Sequence, residues 1–313
     1  MKNLAVRGET RLAVNNPFMS SEMLDRFTAF LDVAPLTVKA YKSGLKMFGQ
    51  YLFSAGVKNP TRETILAYKK ELQEAGRKPS TISLYLSALR RFFSWTESEG
   101  IYANITAGVK APKLSKGYKK DCFTAEQVKS IFAGIDRSNI EGLRNYAIMA
   151  LMTAGGLRTV EITRAKIEDL RTVGGEAVLY IQGKGRTEKT DFVKLPPQVE
   201  TAIRAYLNAR GQATENAPLF ASQSRQNRGK GLTTRTISGI AKTAMLNAGF
   251  NSKRLTAHSL RHTAVTLALL GGQDLAEVQH FARHNNISTT QIYAHNVDRM
   301  KSQCEAVIAS AIF

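Results

Sequence analysis

Hydrophobic side chains recur every three or four residues in four consecutive segments of the chain, from about residue 20 to the upper 90s. This spacing places them on one side of an α-helix. Pro35 is expected to end the first of these helices, and glycines follow the second and third, as helix C-termini favour. The fourth segment, Ile82–Trp95, is apolar around most of its circumference. The pattern therefore predicts a helical bundle with the fourth helix at its centre.

In the rest of the chain, apolar residues recur with the period of helices in some segments and with the period of strands in others. Apolar and polar residues alternate in Ala177–Ile181 and in Asp191–Leu195, on either side of the basic, glycine-containing segment Gln182–Lys189. Two such runs joined by a short polar segment predict a β-hairpin with an exposed tip. The remaining apolar segments have the helical period. We therefore expect a mainly α fold with a small β-hairpin or sheet.

A stretch almost without apolar residues divides the two parts. Residues 108–121 contain a proline, two glycines and five lysines, and such a segment cannot form a core. We predict four regions, with a further helix of about residues 300–313 at the end of the last. They are a flexible tail (1–19), a helical domain (20–107), a basic linker (108–121) and a second domain (122–313).

Charge and composition narrow the class of partner. The 313 residues include 44 Lys and Arg against 25 Asp and Glu, a formal net charge of +19. Such an excess favours a polyanion, and nucleic acid before a membrane surface, although a basic protein without such a partner has the same composition. Two distant cysteines do not predict a disulfide framework or a zinc cluster. No run of about 18 apolar residues is present, so we expect a cytoplasmic protein.

All five histidines fall in the last fifth of the chain. His258, Arg261 and His262 have the spacing that brings side chains to one side of a helix, and an arginine flanked by imidazoles suits a phosphate oxyanion. A solvated polar helix face would give the same cluster. His284 adds another imidazole, and Tyr293 follows nine residues later. This longer pattern favours chemistry on a phosphate.

In order and spacing, His258, Arg261, His284 and Tyr293 resemble the C-terminal signature of the tyrosine recombinase (phage integrase) family of DNA strand-exchange enzymes. The compact two-domain layout is most similar to the Xer-like members. The sequence departs from the pattern at Arg283, where many members have glycine. We expect this arginine to cost backbone freedom without removing a catalytic group.

Earlier segments extend the resemblance. Arg158 and Glu161, in Gly-Leu-Arg-Thr-Val-Glu, resemble the segment that carries the family's first catalytic arginine and its supporting glutamate. Lys184, in Gly-Lys-Gly of the predicted hairpin, resembles the family's catalytic lysine. A solvated loop lysine is the alternative for Lys184.

The resemblance implies an N-terminal four-helix core-binding (SAM-like) domain and a C-terminal mixed α/β catalytic domain. It implies site-specific recombination through a 3′-phosphotyrosine, with no metal and no cofactor. Arg158, Arg261 and His284 are expected to stabilise the phosphate under attack. Tyr293 is the expected nucleophile, His258 the candidate base, and Lys184 the acid that protonates the departing 5′ oxygen.

DNA is the expected partner, bound by a homo-oligomer that grows from a dimer to a tetrameric synapse. The side chains expected to contact DNA are Lys39, Lys42, Arg90, Arg91, Lys116, Lys119, Lys120 and Arg186. A solvated basic surface is the alternative for them. The residues between 211 and 230 are expected to form a mobile or DNA-facing loop. The C-terminal helix is expected to pack into a neighbouring protomer, with its own domain as the alternative.

Two other functions share part of this pattern. A type IB topoisomerase uses the same chemistry to relax DNA, and a DNA-binding protein without catalysis explains the charge and the domains. The second does not account for the spacing of Arg158, the histidines and Tyr293.

Overall fold

The computed structural model describes residues 19–113, 121–183, 186–301 and 303–313. The chain divides into two compact units, Met1–Lys116 and Gly117–Phe313. Within the described ranges, no helix has the length and apolar character needed to cross a membrane.

The first unit is a bundle of four helices. They are α1 (Ser21–Phe30), α2 (Pro35–Ser54), α3 (Arg62–Glu74) and α4 (Pro79–Ser98). The Ser20 side chain caps α1 by accepting the Met23 N–H at 3.2 Å. The expectation that Pro35 ends the first helix was wrong, because α1 stops at Phe30 and Pro35 is the first residue of α2. Proline is favoured there since its missing N–H has no partner in the first turn of a helix.

Helix α4 forms the centre of this bundle, as its apolar circumference predicted. It buries eight residues, more than α1, α2 or α3. The Phe27 ring of α1 meets Phe92 of α4 edge to face, with ring centroids 5.3 Å apart, and Trp95 at 5.5 Å. Aromatic rings favour such tilted arrangements, which fix how α1 lies against α4.

The second unit holds nine further helices among its described residues. They are α5 (Ala125–Ala133), α6 (Ile140–Thr153), α7 (Thr159–Arg164), α8 (Pro197–Arg210), α9 (Thr234–Asn247), α10 (Ala257–Leu270), α11 (Leu275–Ala282), α12 (Ile287–Lys301) and α13 (Cys304–Ile312). Helix α6 is the central element, because every residue from 147 to 152 is buried. It packs against α8, α9 and α10. The start of the unit is fixed to α10, where the Phe123 N–H donates to Thr263 Oγ1 at 2.9 Å.

A three-stranded antiparallel sheet lies between α7 and α8 in the chain. Its strands are β1 (Leu170–Val173), β2 (Glu176–Ile181) and β3 (Asp191–Lys194), in that order. The hairpin of β2 and β3 was predicted, whereas β1 was not. β1 reaches β2 through Gly174 and Gly175, whose φ angles of 58° and 82° suit the tight turn of a hairpin.

The segment between residues 211 and 230 is not the loop that its composition predicted. Leu219, Phe220 and Ala221 are buried in the core of the second unit. The Ala221 N–H donates to the Tyr206 hydroxyl at 3.0 Å, and the Ser222 N–H donates to the Lys230 carbonyl at 2.8 Å. The expectation of a mobile or DNA-facing loop was therefore wrong for the middle of this segment.

Candidate active site

A sharp turn between α6 and α7 positions Arg158. The backbone at Gly156 has φ of 60°, and a Cβ atom there would lie 2.9 Å from the Phe281 ring. Only glycine fits such a turn without strain. The chain then begins α7 with Arg158 as its N-cap residue. Its backbone N–H donates to Glu161 Oε2 at 2.8 Å, and its Nη1 donates to Glu161 Oε1 at 2.7 Å.

Glu161 is the buried anion of the site, with a fully buried side chain. Burial alone raises the pKa of a carboxyl group. Here the positive charge of Arg283, the Arg158 N–H and the Arg158 charge outweigh burial and hold the pKa of Glu161 below its ordinary value. The carboxylate is therefore ionised at neutral pH and fixes the orientation of the arginine beside it.

Arg261 is the most deeply buried cation of the site, with 1% of the residue exposed. Its Nη1 donates to the Gly156 carbonyl and its Nη2 to the Ala282 carbonyl, which fixes the plane of the guanidinium. Burial, followed by the charges of Arg158 and Arg283, lowers the pKa of Arg261 to about 9. The guanidinium therefore stays protonated at neutral pH.

Arg283 contributes a third guanidinium, which the sequence pattern did not assign to the site. It ends α11 with φ of 50° and ψ of 48°, the left-handed conformation for which glycine is usual. Its Nη2 donates to the Gly156 carbonyl at 3.0 Å and to Glu161 Oε2 at 3.2 Å. Its own carbonyl accepts from Arg158 Nη2 at 3.2 Å. The backbone cost was expected, but these contacts with the arginine and the glutamate were not.

His284 supplies a neutral imidazole next to these cations. Burial, followed by the charges of Arg261 and Arg158, lowers the pKa of His284 to about 4. The ring is therefore neutral at neutral pH, with one nitrogen that donates and one that accepts. Its Nδ1 is hydrogen bonded to Thr290 Oγ1 at 2.9 Å, and the residue lines the same cavity as Arg158 and Arg283.

Tyr293 lies in α12 among three histidines and is 4% exposed. Its ring stacks on that of His284, with centroids 6.0 Å apart, and is tilted against that of His262 at 5.2 Å. Its hydroxyl is hydrogen bonded to His262 Nδ1. His258 contacts His262 edge on, with centroids 4.4 Å apart.

His262 is the residue of this cluster that the predicted catalytic set left out. Its position one helical turn after His258 was the available signal.

Lys184 lies outside the described residues. Its neighbour Gly183 lines a cavity of about 390 Å³ together with Arg158, Glu161, Arg283 and His284. Gly183 and Arg186, the described residues on either side of Lys184, therefore line the same cavity as Arg158 and Arg283. The Gly183 carbonyl accepts from Arg164 Nη1 at 3.2 Å, which fixes this end of the tip to α7.

Two family models match the chain. The model described as phage integrase family matches residues 121–300, more than half of the chain, and the model described as phage integrase, N-terminal SAM-like domain, matches residues 24–100. The chain belongs to the phage integrase family.

Named relatives within the family are similar over most of the chain. A tyrosine recombinase XerC of Herpetosiphon aurantiacus is 30% identical over 286 residues, which are 88% of this chain and 90% of the relative. A tyrosine recombinase XerD of Listeria monocytogenes is 29% identical over 289 residues, 88% of this chain and 94% of the relative. The predicted family and the enzyme class, a tyrosine recombinase, are therefore confirmed.

Solved structures of the family have the same fold. XerH recombinase bound to a palindromic difH substrate superposes with a TM-score of 0.70 and 23% identity, covering 88% of this chain and 81% of that one. A lambda integrase dimer bound to a COC′ core site has a TM-score of 0.68 and 21% identity, covering 86% and 96%. The predicted mainly α fold with a small sheet is confirmed.

Three of the residues predicted to contact DNA have exposed side chains. Lys39 and Lys42 are exposed on α2, and Lys42 Nζ lies 3.3 Å from Asp25. Arg91 is exposed and lies over the Phe30 ring at 5.5 Å. These side chains can reach a ligand without disturbing the core.

Other members of that set already have protein partners. Half-buried Arg90 donates to the Val109 carbonyl at 2.6 Å. Arg186 Nη1 pairs with Asp191 at 2.8 Å. Lys116, Lys119 and Lys120 lie outside the described residues.

Proposed function

We propose that the chain is a site-specific recombinase that cleaves and rejoins DNA strands through a 3′-phosphotyrosine at Tyr293. The observation that carries this proposal is the meeting of the tyrosine, two arginines and the histidines within one chain. The hydroxyl of Tyr293 contacts an imidazole, and its ring stacks on His284. Relatives named as recombinases favour this function over relaxation of DNA by a topoisomerase.

The proposed first step forms one bond and breaks another at a phosphorus atom. The phenolic oxygen of Tyr293 attacks, and the 5′ oxygen of the next nucleotide leaves with a proton, which we assign to Lys184. Negative charge grows on the nonbridging oxygens, where Arg158 and Arg261 stabilise it and neutral His284 donates a hydrogen bond. Loss of one such donor typically costs about 2.7 to 4 kcal/mol in barrier height.

An imidazole takes the phenolic proton in this scheme, a part that the family resemblance gives to His258. Strand joining is the reverse reaction, with a 5′ hydroxyl of the partner strand as the attacking group. The ester retains the energy of the broken bond, so rejoining requires no nucleotide cofactor.

We infer that the chain acts on duplex DNA as a homo-oligomer in the cytoplasm. The structural relatives include a lambda integrase dimer on a core site and a tetramer on a Holliday junction. In this chain none of the residues of α13 is buried, and Val307, Ile308 and Ile312 are at least 57% exposed. Exposed apolar helices of this kind pack against a partner, and we propose that α13 packs into a neighbouring protomer.

Incubation with a nicked suicide substrate tests the chemistry. Release of the short fragment after cleavage prevents rejoining, so the wild-type chain should accumulate a DNA adduct that survives denaturation. Tyr293→Phe should form none and should still bind the DNA. An adduct that persists in this variant, or its absence from the wild-type chain, contradicts the proposal.

A second assay separates the two enzyme classes. A recombinase exchanges strands between two duplexes, whereas relaxation of supercoils without exchange would favour the topoisomerase.

A further inference from the structure

The imidazole seen against the nucleophile is not the one that the family signature names. His262 Nδ1 is hydrogen bonded to the Tyr293 hydroxyl. His258 lies one turn earlier on α10 and contacts the edge of the His262 ring, with centroids 4.4 Å apart. A general base must lie within hydrogen-bond reach of the proton that it removes. His262 meets this condition.

The contact belongs to the packed interior of the unit. Helix α12 packs against both α10 and α11. The Tyr293 ring forms a buried cluster with Val265 of α10 and with Val278 and Ala282 of α11. These apolar neighbours restrict the ring, so its hydroxyl is held at His262 by three helices.

We propose that His262 is the proton acceptor for Tyr293. This inference rests on the proposed recombinase function. As the phenolic oxygen forms its bond to phosphorus, the phenolic proton moves to Nδ1 of a neutral His262 that carries its hydrogen on Nε2. The 5′ oxygen leaves with a proton from the leaving-group acid. During rejoining the 5′ hydroxyl attacks and returns its proton to the leaving-group acid, while the departing phenolate takes its proton back from His262.

The surrounding charges delay this transfer until a phosphate is present. Among the described residues of the site, the titratable and charged groups are His258 on α10, His284 after α11, the Glu161 carboxylate, and the arginines Arg158, Arg261 and Arg283. A proton on His262 adds positive charge to a cluster that already contains three guanidinium groups. The negative charge that develops on the phosphate offsets it, so proton transfer is favoured only as attack proceeds.

Two substitutions at one position separate a base from a positioning residue. In His262→Asn the side-chain oxygen stands near the position of Nδ1, so it can accept the Tyr293 hydrogen bond but cannot take the proton. His262→Ala loses both functions. Removal of a general base typically slows the reaction about 10²- to 10⁴-fold. We expect adduct formation under single turnover to slow by this factor in both variants, with unchanged binding to the suicide substrate.

The pH profile gives a readout that a structural role would not change. Phenol ionises without a base as the pH approaches its reference pKa of about 10. The rate ratio of wild type to His262→Asn should therefore shrink steadily between about pH 7 and 10. A fluorinated, more acidic tyrosine at position 293 should also partly restore the rate of His262→Asn. Because this rescue compares two nucleophiles in one variant background, it remains informative if His262→Ala fails to fold.

A substrate with sulfur as the 5′ bridging atom shows whether a residue acts on the nucleophile or on the leaving group. A thiolate leaves without a proton, so this substrate should rescue Lys184→Ala but not His262→Asn. Wild-type rates in His262→Asn, or rescue by the sulfur substrate, would overturn the role of His262 and leave the function intact. Absence of any wild-type adduct would instead contradict the function itself. His258→Asn is the matched comparison on the same helix face, and a larger defect there than in His262→Asn would return the role to His258.

Discussion

Arg283 is held in a backbone conformation that side chains with a Cβ atom avoid. The left-handed region costs a non-glycine residue roughly 1–2 kcal/mol. Its side chain is 11% exposed and shares the buried Glu161 carboxylate with Arg158, so three cations and one anion form a single network. Because three guanidinium groups share one carboxylate, the network has a net positive charge that suits a phosphate.

Coupling between Arg283 and Glu161 is measurable at the residue scale. Arg283→Gly relieves the backbone but removes a buried ion pair, and Glu161→Gln removes the shared anion. Neighbours in one network typically show coupling energies of about 0.5–3 kcal/mol. Urea unfolding of both single variants and the double variant should give a coupling in this range. Arg204→Ala, which breaks the surface pair with Glu200, is the control and should be additive with Glu161→Gln.

At the scale of single elements, the helices were predictable because their signals are local. Thr124 and Gln127 form a capping box before α5, with bonds of 2.9 and 3.2 Å. Pro197 likewise begins α8, directly after a second proline at the N-cap. A cap depends only on residues three or four positions away, so sequence alone is sufficient to find it.

Features that depend on distant partners were not predictable in this way. Strand β1 is short and exists through its pairing with β2. Leu219, Phe220 and Ala221 are buried although the stretches on either side of them are rich in polar residues. In the site, motif spacing predicted roles for Arg158, Arg261 and Tyr293, but it did not predict the contact of His262, which depends on how α10 and α12 pack.

The turn between α6 and α7 makes a prediction at this scale. Gly156→Ala adds a Cβ atom 2.9 Å from the Phe281 ring at a φ of 60°. Gly174 has nearly the same φ of 58° with nothing within 4 Å, so Gly174→Ala is the control for backbone strain alone. Overpacking typically costs about 1–3 kcal/mol. In urea unfolding, the free energy of unfolding of Gly156→Ala should therefore be lower than that of Gly174→Ala by this amount. Equal losses of stability in the two variants would show that the close contact with the Phe281 ring has no effect.

At the scale of the whole molecule, α13 presents apolar side chains that its own chain does not bury. Ile308 is 57% exposed and Phe313 is fully exposed. Their contribution to the stability of one chain is therefore small. The proposed packing of α13 into a neighbouring protomer would make assembly on DNA separable from folding of the single chain.

Ile308→Asp tests this separation. Full burial of such a side chain is worth about 1.5–3 kcal/mol, so cooperativity between adjacent sites on DNA should fall roughly 10- to 100-fold. Binding to a single site and the unfolding midpoint should stay unchanged. Ser310→Asp adds the same charge to the same helix without removing an apolar side chain. Gel-shift titrations on one-site and two-site DNA measure both properties, and equal losses in the two variants would contradict a role for the apolar contact.

The convergence of arginines, histidines and tyrosine within one polypeptide has a genetic consequence. In the proposed site each copy supplies all of these groups itself, so two different inactive alleles expressed together should not complement each other. Each defective copy still occupies its place on the DNA and leaves one strand uncut. Alleles that lose Tyr293 but keep the rest should therefore be dominant over the wild type.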